Sequence, residues 1–185
     1  VTRSGYVLVG GRSSRMGRDK ARLPYRGGAL AEWVARAVEL AAQSATFVGN
    51  PELGGIPDLY PGEGPLGGIL TALHHSLHQT GADWNLIVAC DMPEVSAAFL
   101  RKLVAAAEAS GADALLPAGP SGKLEPLCAV YHRQALAPME LHFARGVRKV
   151  TAALKGVPTV CLSVPELALF QNVNTPEDWA GYAAG

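Results

Sequence analysis

Tyr6-Val7-Leu8-Val9-Gly10-Gly11-Arg12-Ser13-Ser14-Arg15-Met16-Gly17-Arg18-Asp19-Lys20 is the stretch on which the reading of this chain turns. Its first four residues are an apolar run too short for a helix and bounded by glycine, so they read as a buried strand. The segment after it holds three glycines, two serines, three arginines and a lysine. Gly10 and Gly11 let backbone N–H groups approach a ligand with no Cβ in the way. Arg15 and Lys20 can reach back over whatever sits there. A strand that runs into such a loop is suited to hold a polyphosphate. From Arg12 to Arg26 six basic residues stand against one acid, Asp19, in a chain with 16 of each sign. The excess is local, and so is its purpose.

Outward from this stretch, strand and helix signals alternate. Leu30, Val34, Val38 and Ala41 recur at helical spacing within 29–42, and 46–49 is a short strand. Residues 51–68 contain four prolines and six glycines and read as a loop that opens a helix over 66–77. Trp84–Cys90 (WNLIVAC) is the strongest strand pattern in the chain. Ser96 is placed to cap a helix over 97–109, with Phe99, Leu100, Leu103 and Val104 on one face and Gly111 at its end. Two strands over 113–116 and 125–131 flank a Gly/Pro/Ser turn. Residues 134–154 read as helix in two pieces broken near Gly146, 159–162 as a strand. Thr175-Pro176-Glu177-Asp178 reads as a helix start, with acids set against the dipole. The alternation predicts a layered α/β fold with a mostly parallel sheet, in one domain over residues 1–185.

Composition narrows the function. Hydrophobic residues make up 49% and charged residues 17% of 185 positions, which fits a soluble enzyme-sized domain. No apolar run approaches a membrane span, and the first residues lack a secretion-signal layout. A net charge of zero argues against nucleic-acid binding. Cys90, Cys128 and Cys161 are widely spaced with no C-x-x-C, which points to reduced thiols in a cytoplasm.

In parallel sheets, ligands sit beyond the carboxyl ends of the strands. Two strands end in chemically loaded sequence: Val9 runs into Gly10-Gly11, and Cys90 into Asp91-Met92-Pro93. A carboxylate at a strand end beside a phosphate loop suits Mg²⁺, which takes one or two protein carboxylates and fills its shell with phosphates and waters. The plainer reading of Asp91 is a turn hydrogen bond. Gly62-Glu63-Gly64-Pro65-Leu66-Gly67-Gly68 formally matches G-x-G-x-x-G, but two prolines just before it rule out the strand a dinucleotide fold needs. It reads as a second glycine loop that closes on a nucleotide. No Lys-Ser or Lys-Thr stands at P-loop spacing.

These segments together resemble a known family. Leu8-Val9-Gly10-Gly11 through Asp19-Lys20 is similar to the signature of the molybdenum cofactor guanylyltransferases, the MobA proteins. Gly64-Pro65-Leu66-Gly67-Gly68-Ile69 resembles their second loop, Cys90-Asp91-Met92-Pro93 their metal-binding turn, and Asn172-Val173-Asn174-Thr175-Pro176-Glu177-Asp178 their C-terminal motif. The four matches occur in family order along the whole chain. The resemblance implies a three-layer α/β/α, Rossmann-like nucleotidyltransferase (GT-A-like) fold with a mostly parallel mixed sheet. It implies GMP transfer from GTP to Mo-molybdopterin with release of pyrophosphate. Nucleotide contacts map onto Leu8, Val9, Gly10, Gly11, Lys20, Asn50, Asp58, Gly64, Pro65, Leu66 and Asp91. Mg²⁺, with Mn²⁺ as a substitute, falls on Asp91. Transient contact with molybdenum-insertion proteins and apo-molybdoenzymes is implied as well. Val9 stands where the family usually has alanine.

The residues make sense of that chemistry. A terminal phosphate attacking the α-phosphorus of a triphosphate brings two anions together, so cations come first, and Arg15, Lys20 and a magnesium on Asp91 supply them. A phosphate nucleophile is already ionised near neutral pH and needs no strong general base. Asn172 and Asn174 face the molybdopterin phosphate or the metal, or else only satisfy the turn into the last helix. Lys123 sits either on a lid over the pterin or in an ordinary hairpin turn. His74 and His78, at i,i+4, read as a solvated helix face, and Trp33, Trp84 and Trp179 as packing residues. Competing readings are a molybdopterin cytidylyltransferase, a sugar-phosphate nucleotidyltransferase, and a nucleotide-binding module without turnover.

Overall fold

The computed structural model describes residues 1–10 and 19–183. A six-stranded sheet forms its centre. In chain order the strands are β1 (Arg3–Leu8), β4 (Thr46–Val48), β5 (Trp84–Ala89), β6 (Ala114–Ala118), β7 (Cys128–His132) and β8 (Thr159–Ser163). A separate ribbon pairs β2 (Pro24–Tyr25) with β3 (Gly28–Ala29). The spatial order of the main sheet is β4-β1-β5-β7-β6-β8. β1 runs parallel to both neighbours, β6 parallel to β8, and only β7 runs against the rest. The sheet is therefore mixed and mostly parallel, as the alternation of elements predicts.

The helices are α1 (Leu30–Ala42), α2 (Pro65–His75), α3 (Ala97–Ser110), α4 (Leu136–Ala144), α5 (Val150–Ala153) and α6 (Pro176–Ala183). Strand alternation sends side chains to two opposite cores. Val7 and Val9 of the first strand face α1 and α3, where Val34, Val38, Leu100 and Leu103 meet Leu86 and Val88. Tyr6, Leu8 and Ile87 face the other way, onto Leu66, Ile69, Leu70 and Leu73 of α2 and Met139 of α4. Helices on both faces of one sheet give three layers. Both β1 and β5 are buried from end to end apart from Arg3, and Ser4 and Asn85 are the buried polar residues in them.

Local chemistry sets the element ends. The Ser96 hydroxyl accepts from the Phe99 N–H at 3.2 Å and starts α3, and Gly111 closes it in the left-handed region. The segment 134–154 does break after Ala144, where Gly146 takes φ +90°. Two features were invisible to periodicity: the β2–β3 ribbon, with two residues per strand, and the 3₁₀ turn Lys20–Arg22. Tyr25 of the ribbon meets Trp33, Trp179 and Tyr182, a third small cluster that seats α6 beside α1. All three cysteines are free, two of them buried. No helix among the described residues is long and apolar enough to cross a membrane.

Candidate active site

At the carboxyl ends of β1, β4 and β5 opens a cleft of about 870 Å³. Its walls are Leu8, Val9 and Gly10 from the first strand, Val48 from β4, and Ala89, Cys90 and Asp91 from β5. Asp19, Lys20 and Ala21 close one side, and Asp58, Pro61, Gly62, Gly64, Pro65 and Gly68 the other. Gly10, Lys20, the second glycine loop and Asp91 thus border one space, although 71 residues separate Lys20 from Asp91.

Lys20 is held between two acceptors. Its ammonium donates to Asn174 Oδ1 at 2.7 Å and lies 3.5 Å from Asp91 Oδ2, long for a hydrogen bond but close for an ion pair. The 3₁₀ turn that presents it starts at Asp19, whose Oδ1 accepts from the Ala21 N–H at 3.0 Å. Asn50 steadies the same carboxylate, donating to Asp19 Oδ2 at 3.3 Å. The Asp91 turn is tied to the C-terminal segment, where the Val173 N–H donates to Asp91 O at 2.9 Å and Val173 is fully buried. The Trp33 indole donates to Pro93 O at 3.0 Å and braces the far side of that turn.

Burial pushes the Asp91 carboxyl above the usual carboxylate range, and the Lys20 ammonium beside it pulls the other way. Asp91 Oδ1 is buried and has no hydrogen-bond partner among the described residues. An orphaned, half-compensated carboxylate oxygen at the floor of a cleft is the donor a hard divalent cation takes. Asp91 is thus the residue of this cleft that could hold a divalent cation, as a single protein carboxylate.

Gly10 lines the cleft where the first strand ends. Its N–H, like that of Val9, donates to Val48 O, at 3.2 and 3.0 Å, and is not turned to a ligand. Glycine is needed there because a Cβ would come within 3.1 Å of Gly49 Cα, and one on Gly49 within 2.8 Å of Gly10 Cα. The two strand exits touch backbone to backbone, which keeps the cleft floor open. Gly11 and Arg15, with Arg12 and Arg18, lie outside the described residues.

The other expected residues divide. Asp58 borders the cleft, its Oδ1 accepting from the Tyr60 N–H and lying 2.9 Å from the Thr71 hydroxyl, while Oδ2 takes no part in these bonds. Gly64 and Pro65 open α2 at the cleft wall, but Leu66 is fully buried in the core, so its side chain does not reach the cleft. Asn50 is one step removed, through Asp19. Asn174 enters the site through Lys20, and Asn172 Oδ1 is buried with no partner among the described residues. Lys123 lies in the β6–β7 turn, 3.0 Å from Glu125, and does not line the cleft. Asp178 does more than oppose a dipole: its Oδ2 accepts from the Asn174 and Thr175 N–H groups at 2.9 Å and fixes the loop that carries Asn174. His74 is paired with Glu140 at 2.8 Å and stacks on His78. The residue the sequence reading passed over is Asp19; its signal was an N-cap aspartate directly before the key lysine.

The comparisons agree with this geometry. Residues 5–157 match the family model described as the MobA-like NTP transferase domain. The chain is 36% identical over 195 aligned residues to the molybdenum cofactor guanylyltransferase of Xanthomonas euvesicatoria pv. vesicatoria (strain 85-10), covering 96% of this chain and 92% of that protein. A probable molybdenum cofactor guanylyltransferase of Opitutus terrae is 36% identical over 189 residues, covering 95% and 92%. Among solved structures, molybdopterin-guanine dinucleotide biosynthesis protein A from Archaeoglobus fulgidus superposes with a TM-score of 0.81 at 30% identity, over 97% of this chain and 96% of that one. With a family model matched over residues 5–157 and relatives 30–36% identical over nearly the whole chain, the chain belongs to the MobA-like NTP transferases, a nucleotidyltransferase family.

Proposed function

We propose that this protein transfers GMP from GTP to Mo-molybdopterin. An oxygen of the terminal molybdopterin phosphate bonds to the α-phosphorus of GTP, the bond from that phosphorus to the β-phosphate bridging oxygen breaks, and pyrophosphate leaves. The observation that carries the reading is the pairing of Lys20 with Asp91 across a glycine-walled cleft. The names of the relatives that are 30–36% identical supply guanine as the base.

In this reading Lys20 and Arg15 neutralise the phosphates, and the Asn174 and Asp91 contacts hold the Lys20 ammonium ready without a search of its rotamers. Asp91 is the ligand for Mg²⁺ (or Mn²⁺), which when bound supplies positive charge to the phosphates. Leu8, Val9 and Gly10 form the floor under the nucleotide, Asp58 takes ribose or base donors, and the Gly64-Pro65 start of α2 meets phosphate with its backbone dipole. Asn172 and Asn174 lie toward the acceptor. Residues 1–185 act as one domain, since groups from Leu8 to Asn174 meet at one centre.

Purified protein supplied with Mo-molybdopterin, Mg²⁺ and each of GTP, CTP, UTP and ATP in turn tests the proposal. Guanine dinucleotide and pyrophosphate should appear together with GTP. Product from CTP alone would assign it as a cytidylyltransferase, and tight nucleotide binding without pyrophosphate would make it a non-catalytic module.

A further inference from the structure

The glycine loop Pro61–Gly64 walls the cleft, yet its two glycines leave it little stiffness of its own. Gly62 takes φ +82° and Gly64 φ +79°, and neither would bring a Cβ within 4 Å of anything. A segment built this way has many conformations to lose when it closes on a ligand. It is held from behind instead. The Tyr60 ring packs on Phe143 of α4 with centroids 4.7 Å apart, and its hydroxyl donates to Glu140 Oε1 at 3.1 Å. Glu63, between the two glycines, is paired with Arg148 from the link between α4 and α5. Arg148 is itself fixed: its guanidinium lies 4.0 Å from the Phe143 ring centre and donates to Phe143 O at 2.8 Å and Val147 O at 3.0 Å.

We infer that Arg148 is a positioning residue for the nucleotide, acting through Glu63 on the loop that walls the cleft. This rests on the proposed nucleotidyl transfer. Two effects add. The pair fixes the middle of a loop whose flanking backbone borders the ligand, so less ordering is left for the binding step. It also covers a carboxylate that would otherwise stand uncompensated at the rim of a site for a polyanion. An ordinary surface ion pair contributes little because both partners must be immobilised. Here the arginine is already immobilised by two carbonyls and a ring, so that cost is largely met before Glu63 arrives.

The second effect gives the proposal a signature. Arg148→Ala should raise the KM for GTP, and the calorimetric Kd for GTP·Mg²⁺, about three- to tenfold, with kcat falling by less. Glu63→Gln, which removes the charge and keeps an acceptor, should do less than Arg148→Ala. Glu63→Gln combined with Arg148→Ala should bind better than Arg148→Ala alone. Arg148→Lys, which keeps charge but loses the fork that reaches Glu63 from Nε and the two carbonyls from Nη1, should fall between. Thermal midpoints, read alongside, should stay within about 2 °C of the parent for these exposed sites. Unchanged KM and Kd in Arg148→Ala would overturn the inference. So would additive losses in the double variant, or losses matched by a collapse in thermal midpoint. If the parent prefers another nucleoside triphosphate, the same series run with that nucleotide still decides the role of Arg148, so its failure is separable from failure of the guanylyl assignment.

Discussion

The two halves of the sheet differ in chemistry, and β8 at one edge differs from the centre in burial. β4, β1 and β5, all parallel, supply the cleft with Val48, Gly10 and Asp91, and the central pair is buried on both faces. β7, β6 and β8 lend it only Leu127, from just before β7, and β8 is an edge strand with four of its five residues exposed. The difference follows from strand order. β6 and β8 run the same way as β1 and β5 but lie beyond the reversed β7, which puts its incoming turn, with Leu127, beside β5 and leaves their own exits away from the cleft. The cleft is thereby anchored on the buried strands β1 and β5, while β8 completes the layer at its edge.

The comparison can be broken most directly at Lys20. Lys20→Ala should cut kcat/KM about 10²–10³-fold with little change in unfolding free energy, since its contacts are electrostatic and at a cleft surface. Turnover near the parent rate would end the claim that the parallel half holds the chemistry. Asn174→Ala comes next. Loss of a hydrogen bond to a charged group should lower kcat/KM about tenfold, mostly in kcat, because the ammonium is then held by Asp91 alone. A change confined to KM would assign Asn174 to substrate binding instead. For stability, Ile87→Val in the middle of β5 should cost about 0.5–1.5 kcal/mol in urea unfolding. Val160→Ala on β8 should stay within about 0.5 kcal/mol. Equal costs would mean that the edge strand is as tightly packed as the centre.

The smallest effect concerns pH. His75 of α2 meets the Tyr6 hydroxyl of β1 at 3.0 Å, and burial holds its imidazole below the usual histidine range. The unfolded chain then binds more protons below about pH 6.5, so the stability this group supplies is present above that pH and lost as pH falls through the folded value. The thermal midpoint of the parent should drop on going from pH 7 to pH 5, and the drop should be smaller in His75→Gln. An unchanged pH profile in that variant would show that the contact carries no proton linkage.

Much of the fold was legible because its strands are mostly apolar between glycine and proline punctuation, and because Ser96, Gly111 and Thr175 sit where helices must start or stop. The β2–β3 ribbon escaped because two residues per strand leave no period to read. Of the site, the residue types and their order along the chain were legible; their partners were not. Nothing near Gly10 in the sequence announces that Gly49, 39 positions away, packs against its backbone. Nothing near Asn50 announces that its amide reaches Asp19, and the place of Leu66 in the core follows only from how α2 packs.

By itself the sequence determined a layered α/β chain with a basic glycine loop at one strand end and an acid at another, because hydrophobic period and turn chemistry are local properties of the chain. Only the tertiary structure decided that Lys20, Asp91 and Asn174 share one centre, that one Asp91 oxygen there has no partner among the described residues, and that Arg148 backs the second loop. Those facts depend on contacts between groups 71, 154 and 85 residues apart. Separations of that size are closed by the packing of two cores, and no pattern within a few turns of chain encodes them.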